Sequence, residues 1–309
     1  MVKVGNTPML SIDGVYTKLE CTNPCGSIKD RIATYILDES TKRGLLREGD
    51  RIVEASSGNT GIALSYFGRA RGHEVTIVMP ENMTAERKEI ITRLGATLVS
   101  VSEKGSFTEA AAVRDELASK PGHFNPDQFS NPLNVECHRV TTGAEIMRQI
   151  ADHTDASIDA FVSGVGTGGT LMGVGGAIRE AFPNAKLVAV EPAESAVMSG
   201  GEPASHGIYG IGDGFIPAIV SDGNGGVSPE VDEVICIESG DAKDAAHYLS
   251  AAFACCVGIS SGANFLAAQR IKERFETVVT IFPDGYQKYR SEGLVRCRGD
   301  CPFEHDLLV

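Results

Sequence analysis

The sequence predicts an α/β protein built as two three-layer αβα domains with mostly parallel sheets. Two observations lead to this fold class. Short β-rich runs alternate with helical stretches in two blocks of the chain, which are separated by a segment rich in proline and polar residues at positions 121–132. The helical stretches are long enough for the crossovers that parallel strands require, whereas hairpins need only short turns.

The elements of both blocks follow from β-rich runs and helical spacing of apolar residues. In the first block, strands are predicted at residues 51–55, 74–80 and 97–101, and helices at 61–71, 85–94 and 107–119. In the second block, strands are predicted at residues 160–163, 186–190, 231–237 and 277–282, and helices at 241–254 and 263–274. Ligands of parallel sheets bind at the carboxyl ends of strands, so the loops after Ala55 and Ser163 are the expected binding places.

Composition limits the classes of function. The chain has 309 residues and a formal net charge of −13, which argues against nucleic acid or an anionic membrane as the main partner. Its longest apolar run is far shorter than the ~20 residues of a membrane helix, and its first residues lack the apolar segment of a signal peptide. Eight cysteines in this length do not suggest a disulfide scaffold. We therefore expect a reduced, cytoplasmic protein of enzyme size.

The glycine-rich loop at residues 164–170 follows a predicted strand and opens a helix. Glycines let the backbone approach an anion, and the helix N-terminus points N–H groups toward it. This pattern predicts a phosphate site. The loop also matches G-x-G-x-x-G, and Glu191 ends the next strand where a ribose-binding acid would lie, so a nicotinamide-dependent oxidoreductase is an alternative.

A second anion site is predicted at residues 56–61, where hydroxyl and amide side chains surround glycine at another helix start. Such a loop can hold a carboxylate through hydroxyls, backbone N–H groups and the helix dipole. A polar helix cap would explain only one or two of these residues. Two anion-binding helix ends on two sheets suggest a ligand with two anionic groups.

Lys29 is the candidate nucleophile. Ser27 and Asp30 have the spacing of a capping box, which predicts that a helix begins at Ser27. Lys29 would then lie in the first turn, where the helix dipole disfavours its ammonium form and favours a reactive amine. For any single lysine, a solvated surface position is the simpler interpretation.

Together these segments resemble the fold-type-II pyridoxal-phosphate enzymes of the cysteine synthase and cystathionine β-synthase group. The resemblance spans nearly the whole chain and keeps the order of the family's motifs. The matching residues are 5–8, 23–31, 56–61, 128–132, 141–143, 164–170, 210–217, 258–263 and 283–285. It implies a tryptophan-synthase-β-like fold with a large cofactor-binding domain at residues 1–36 and 138–309. It also implies a smaller mobile domain at 37–137 that binds the substrate carboxylate, and a homodimer.

The resemblance assigns roles to the motif residues. Lys29 would form the imine with pyridoxal 5'-phosphate and then move the α-proton of the substrate. Asn59 would contact the ring hydroxyl, and Ser260 would face the pyridine nitrogen. The cofactor phosphate would be held by Gly166, Thr167, Gly168, Gly169 and Thr170, and the substrate carboxylate by Ser56, Ser57, Gly58, Thr60 and Gln128.

A serine at the ring nitrogen has a chemical consequence of its own. A hydroxyl cannot keep that nitrogen protonated as a carboxylate would, so the ring is a weaker electron sink. Loss of the α-proton should then lead quickly to expulsion of a β-substituent. We expect β-replacement on a serine- or cysteine-like amino acid through an aminoacrylate, with a thiol, sulfide or water as the nucleophile.

Asp213 departs from the family pattern, which commonly has a small residue at this place. A carboxylate near the substrate β-carbon can act as a general base on water and would repel hydrosulfide. Water addition to an aminoacrylate made from L-cysteine gives L-serine and hydrogen sulfide, the reaction of a cysteine hydroxyl-lyase. Alternatively, Asp213 only tolerates a left-handed turn between glycines, and the enzyme is an O-acetylserine sulfhydrylase.

The cysteines are the second departure. Cys25 lies four residues before Lys29, where the family usually has a small residue. A thiol near a helix N-terminus can be acidic, but the cysteine pairs lack matched histidines. The sequence therefore predicts neither a metal site nor a catalytic thiol.

Overall fold

The structure, a computed structural model, has two sheets that meet at a cleft. It describes residues 2–56, 58–81, 83–102, 107–154 and 157–294. In chain order the strands are β1 Met9–Ile12, β2 Val15–Leu19, β3 Arg51–Ala55, β4 Val75–Pro80, β5 Thr97–Val101, β6 His123–Phe124, β7 Ala160–Gly164, β8 Lys186–Pro192, β9 Glu233–Ile237 and β10 Val278–Phe282. The six-stranded sheet has the order β1-β2-β10-β7-β8-β9, and the four-stranded sheet has the order β5-β4-β3-β6.

Every neighbouring pair in both sheets is parallel except β1 with β2, which is antiparallel. The predicted α/β class with mostly parallel sheets is therefore confirmed. The helices are α1 Lys29–Lys42, α2 Asn59–Ala70, α3 Ala85–Arg93, α4 Phe107–Ala118, α5 Pro132–His138, α6 Ala144–Ile150, α7 Gly169–Ala181, α8 Ser239–Phe253 and α9 Ile259–Lys272. A π-helical turn, Arg139–Gly143, joins α5 to α6.

Alternate residues of the central strands pack on opposite faces of the larger sheet. On one face, Val162 and Val188 join a buried cluster with residues of α8 and α9. On the other face, Phe161 and Leu187 join a cluster with residues of α6 and α7. Because side chains alternate along a strand, apolar residues at consecutive positions are the expected pattern for a sheet covered on both sides.

The predicted capping box is wrong. Helix α1 begins at Lys29, two residues later than predicted, and Ile28 precedes it without a side-chain cap. Ser27 instead forms an isolated β-bridge with Asp284, which holds it in an extended conformation. The Asp30 carboxylate accepts a hydrogen bond from the backbone N–H of Cys25 at 2.6 Å.

Helix α1 is fixed by a buried charge network. The Arg31 guanidinium donates to Glu20 Oε2 at 2.6 Å and to Glu145 Oε2 at 2.7 Å, and Lys18 Nζ donates to the same Glu145 oxygen at 2.8 Å. Burial alone would raise the pKa of Glu145, but the hydrogen bonds from Arg31 and Lys18 lower it to about 2. The network ties β2, α1 and α6 together and thereby fixes the helix that carries Lys29.

Other elements differ from the prediction at their ends or were not predicted. Helix α9 begins at Ile259 rather than at residue 263, so Ser260 lies in its first turn and not in a preceding loop. The segment predicted as irregular contains the two-residue strand β6, which pairs with β3. Strands β1 and β2 and helices α5 and α6 were not predicted. The domain boundaries at residues 37 and 137 stay a prediction.

Candidate active site

A cleft with a volume of about 810 Å³ lies beyond the carboxyl ends of β3, β7 and β10. Strand order explains this position, because loops from parallel strands meet at one edge of each sheet. Most of the predicted site residues meet here. Those that line the cleft are Lys29, Ser56, Asn59, Thr60, Gln128, Gly166, Thr167, Gly168, Thr170, Asp213 and Ser260. Gly169 begins α7 next to this set, and Ser57 lies outside the described residues.

Lys29 reaches the cleft from the first residue of α1. The backbone N–H of Ile28 donates to the carbonyl of Pro283 at 2.8 Å, which joins this helix start to the end of β10. Burial lowers the pKa of the Lys29 ammonium below its ordinary value, although the nearby Asp213 and Asp284 carboxylates oppose the shift. A lowered pKa increases the fraction of neutral amine that can act as a nucleophile or base.

The glycines of the loop at residues 164–170 are required by close packing against neighbouring protein atoms. Gly168 has φ +86, in the left-handed region that favours glycine. A Cβ on Gly166 would lie 2.4 Å from the Gly210 carbonyl oxygen, and a Cβ on Gly169 would lie 2.0 Å from Asn134 Oδ1. The loop also lines the cleft at the N-terminus of α7, where backbone N–H groups can bind an anion.

Two side chains that the sequence analysis missed support this loop. Asn134 Nδ2 donates to Thr167 Oγ1 at 2.9 Å and to the carbonyl of Gln128 at 2.8 Å. His138 Nε2 lies 3.3 Å from Thr170 Oγ1, and burial lowers the pKa of this imidazole well below its ordinary value. A neutral histidine therefore contacts one of the predicted phosphate ligands. Both residues lie on α5, which the sequence did not predict.

The polar loop at residues 56–61 is stabilised by the side chain of Ser56. Its Oγ accepts hydrogen bonds from the N–H groups of Gly58 at 3.1 Å and Gly61 at 2.9 Å, so this hydroxyl caps the start of α2. Thr60 Oγ1 donates to Gln128 Oε1 at 2.6 Å, and Gln128 Nε2 donates to the Ala55 carbonyl at 3.0 Å. Thr60 and Gln128 thus form one polar cluster at the end of β3, while Gly58 packs against the side chain of Arg87.

Asn59 is tied to a carboxylate that the sequence analysis did not assign. Its Nδ2 donates to Asp284 Oδ2 at 2.8 Å, and the same oxygen accepts from the Tyr289 hydroxyl at 2.7 Å. Asn59 Oδ1 is buried and has no hydrogen-bond partner within the described ranges. A buried amide oxygen without a partner beside an open cleft is suited to a ligand hydroxyl.

Asp213 lines the cleft between two glycines. Gly212 and Gly214 have φ +68 and +85, whereas Asp213 is not among the residues of positive φ. The glycines therefore make the left-handed turn, and the turn itself does not require an aspartate. Burial raises the pKa of the Asp213 carboxyl, and the positive charges of Lys29 and His206 oppose this shift.

The acidic residue of the dinucleotide alternative is not available to a ribose. Glu191 is 1% exposed. Its carboxylate accepts hydrogen bonds from the N–H groups of Met198 at 2.8 Å and Ser199 at 2.9 Å. It does not line the cleft that contains Lys29. This arrangement does not support the hypothesis that the glycine-rich loop binds a nicotinamide dinucleotide.

The cleft wall includes aromatic and charged residues that the sequence analysis did not single out. Phe107 and Phe129 line it with ring centroids 4.8 Å apart, and Tyr209 and Arg87 line it on another side. Burial raises the pKa of the Cys25 thiol, which disfavours the reactive thiolate. Among the described residues no cluster with metal-binding composition occurs, and no helix is long and apolar enough to cross a membrane.

The fold and the site together define a class. A model of the pyridoxal-phosphate dependent enzyme family matches residues 2–284, and the chain belongs to that family. It is 40% identical over 303 residues to the cysteine synthase of Staphylococcus aureus, with 94% of each chain covered. The predicted family, enzyme class and pyridoxal-phosphate cofactor are confirmed, and the dinucleotide alternative is not supported.

Two solved structures are also similar. One is a hydrogen sulfide-producing enzyme from Fusobacterium nucleatum, with TM-score 0.87 and 40% identity over 99% of this chain and 92% of that chain. The same enzyme was crystallised as an aspartate-to-asparagine mutant with an alpha-aminoacrylate intermediate. The other is an O-acetylserine dependent cystathionine beta-synthase from Helicobacter pylori, with TM-score 0.87 and 33% identity over 94% and 96% of the two chains. These relatives agree with the predicted reaction class, β-replacement through an aminoacrylate.

The residues of the cleft fit pyridoxal phosphate. The loop around Gly168 lines the cleft at the N-terminus of α7, where N–H groups can bind a phosphate, and Lys29 supplies an amine for the aldehyde. Asn59 presents a buried oxygen without a partner. The glycine-rich loop follows β7 of the six-stranded sheet and Asn59 follows β3 of the four-stranded sheet, so a ligand with a phosphate and a ring hydroxyl could contact both units.

The glycine-rich loop gives a test with a matched control. In Gly166→Ala the new Cβ would meet backbone, so we expect pyridoxal phosphate to bind about tenfold more weakly or worse, because overpacking typically costs 1–3 kcal/mol. Gly176→Ala, in the helix α7 that follows this loop, meets nothing within 4 Å and should bind the cofactor as the wild type does. Titration of each apoenzyme with pyridoxal phosphate measures both constants. Equal constants in the two variants would contradict the prediction.

Proposed function

We propose that this enzyme converts L-cysteine and water to L-serine and hydrogen sulfide, with Asp213 as the general base on water. The observation that carries the proposal is the placement of Asp213. Its carboxyl lines the cleft within charge range of Lys29, and the glycines on both sides make the turn without it. The related hydrogen sulfide-producing enzyme, in which an aspartate substitution accompanies a crystallised alpha-aminoacrylate, supports a role for a carboxylate in such chemistry.

The residues of the cleft would act in sequence on the substrate. Bound pyridoxal phosphate would withdraw electrons from the substrate α-carbon. Thr60, Gln128 and the backbone of residues 56–61 would hold the α-carboxylate, and Lys29 Nζ would remove the α-proton. The Cβ–S bond would then break, and the departing hydrosulfide would take a proton from the solvent.

Asp213 would act in the second half of the reaction. It would take a proton from water while the oxygen bonds to the β-carbon of the substrate, and Lys29 would return a proton to the α-carbon. Asp213 would then release its proton to the solvent. The sum is one cysteine and one water giving one serine and one hydrogen sulfide. A negative carboxylate near the β-carbon also disfavours an incoming hydrosulfide anion, which opposes the reverse reaction.

The remaining roles belong to the same proposal. Gly166, Thr167, Gly168, Gly169 and Thr170 would hold the cofactor phosphate. Asn59 would contact the ring hydroxyl, and Ser260, in the first turn of α9, would face the ring nitrogen. A homodimer, with residues 37–137 as a mobile domain, is also part of the proposal and follows from the family resemblance. A cytoplasmic location is part of it as well and follows from the composition.

The second candidate is cysteine synthesis from O-acetylserine and sulfide. The 40% identity to the Staphylococcus aureus cysteine synthase favours it. The two reactions share the first half and differ in the nucleophile that attacks the β-carbon.

A product analysis separates the two candidates. The holoenzyme is incubated with L-cysteine alone in ¹⁸O-labelled water, and in parallel with O-acetylserine and sulfide in ordinary water. We expect serine that carries one ¹⁸O atom on its side chain, and sulfide in equal amount, from the first incubation. Cysteine formed rapidly in the second incubation, without serine in the first, would overturn the proposal and establish the sulfhydrylase.

A further inference from the structure

Arg87 on α3 is an unusual buried cation in the wall of the cleft. Its side chain belongs to the unit around the four-stranded sheet, and the residue is 2% exposed. The guanidinium carbon lies 4.8 Å from the ring centroid of Tyr209 and 4.9 Å from that of Tyr289, and it packs against both rings, whose centroids are 6.1 Å apart. Within the described ranges its Nη1 is buried without a hydrogen-bond partner.

The two rings belong to segments that pack on the six-stranded sheet. Tyr289 joins the buried cluster of α8 and α9, and Tyr209 packs against that cluster. The residue next to Arg87 makes a second contact between the same two units. The Glu86 carboxylate accepts hydrogen bonds from Ser291 N–H at 2.8 Å and from Ser291 Oγ at 3.0 Å. The start of α3 therefore fastens the smaller sheet unit to residues 209 and 289–291 of the larger one.

Arg87 also connects two parts of the catalytic cleft. A Cβ on Gly58, in the predicted carboxylate-binding loop, would lie 2.6 Å from Arg87 Cδ. On the other side, Tyr209 directly precedes the Gly210–Gly214 segment that carries Asp213. A buried guanidinium gains favourable interaction only while both rings cover it, since removal from water is costly without such partners. Opening of the cleft would return Arg87 to water and release both rings.

We propose that Arg87 is a positioning residue that holds the cleft closed over the substrate and keeps the Asp213 segment beside the β-carbon. Closure retains the aminoacrylate until a nucleophile has added to it. If closure fails, the aminoacrylate leaves and reacts with water to give pyruvate and ammonia. The proposal rests on the proposed function for the identity of the nucleophile, but not for the closure itself.

The planar shape of the side chain matters as well as its charge. A guanidinium is broad, planar and weakly hydrated and can contact two adjacent rings at once, whereas a lysine ammonium is a compact and strongly hydrated charge. Arg87→Lys should therefore lose most of the effect while keeping the charge, and Arg87→Gln should lose all of it. The exposed Arg93 at the end of the same helix provides the matched control Arg93→Gln.

The experiment measures product partition in the holoenzymes with L-cysteine. Serine, pyruvate and sulfide are quantified for the wild type, Arg87→Lys, Arg87→Gln and Arg93→Gln. We expect the pyruvate-to-serine ratio to rise about tenfold in Arg87→Gln, as the loss of a desolvated cation–π pair would produce, and to stay unchanged in Arg93→Gln. The visible cofactor absorbance and the circular dichroism of all variants should match the wild type, which separates a positioning role from a loss of folding.

A second variant tests the same contact without changing Arg87, so the inference can still be judged if Arg87→Gln does not fold. Tyr209→Leu removes one of the two rings, and it should raise the same ratio; the double variant with Arg87→Gln should show no further increase. A wild-type ratio in Arg87→Gln, or additive effects in the double variant, would overturn the inference. If the wild type forms no serine from cysteine, the proposed function fails, and the cysteine-to-pyruvate ratio with O-acetylserine and sulfide then tests Arg87 in the same way.

Discussion

Lys29→Ala is expected to abolish turnover of L-cysteine, by about 10³-fold or more, because one amine is proposed both to bind the cofactor and to move the α-proton. Its placement supports both tasks. Lys29 begins α1 in the wall of the cleft, and burial lowers the pKa of its ammonium group. The wild type should show a visible absorbance band that the variant lacks, and borohydride should fix the cofactor covalently to the peptide that contains Lys29.

The control for this prediction lies at the other end of the same helix. The Lys42 side chain is 69% exposed and pairs with Glu39 across one helical turn, so Lys42→Ala should retain the colour and the activity. Added methylamine should restore part of the sulfide release in Lys29→Ala, since a free amine can replace the missing base. A coloured, fully active Lys29→Ala protein would refute the proposed role of this residue.

Asp213→Asn is expected to lower the formation of serine from L-cysteine by about 10²- to 10⁴-fold, the usual contribution of a positioned general base. The amide keeps the shape of the side chain but cannot take a proton from water. The variant should keep its cofactor colour and should still lose the β-substituent, so the aminoacrylate should accumulate and appear as a new absorbance band. Stopped-flow spectroscopy with L-cysteine, together with serine analysis, measures both effects.

The pH dependence gives an independent readout of the same group. Burial raises the pKa of Asp213 above the ordinary value for an aspartate, so the carboxylate that accepts a proton becomes populated at higher pH than usual. Serine formation should therefore rise with pH through this raised pKa, and the acidic limb should be missing in Asp213→Asn. Asp244→Asn, the same chemical change at an exposed position of α8, should leave the profile unaltered. Unchanged serine formation in Asp213→Asn would remove this residue from the mechanism.

Local sequence was sufficient for the elements whose signals are local. Strands β3 and β5 have the predicted ends, because their apolar runs are bounded by turn residues. Helix α1 began later than predicted because Ser27 pairs with Asp284, more than 250 residues away in the chain, and no local pattern reports such a bond. Strand β6 has two residues and exists only through its pairing with β3.

The same distinction holds for the site. The glycine-rich loop and the polar loop after β3 could be found because their residues are neighbours in sequence and match the motifs of a family. Asp284 could not be assigned, because its contacts with Asn59 and Tyr289 arise from tertiary packing. Arg87 is one more polar residue within α3 by sequence, and only its burial against two tyrosine rings distinguishes it from its neighbours.

The position of β10 has a consequence for biosynthesis. This strand lies between β2 and β7, so the N-terminal strands cannot complete their sheet until residue 282 has been made. The four-stranded sheet needs nothing beyond residue 124, and it can form while most of the larger sheet is still being translated. On the ribosome, the unit that is proposed to bind the substrate carboxylate should therefore fold first. The lysine nucleophile, although encoded near the start of the chain, should reach its final surroundings only when the last strand is inserted.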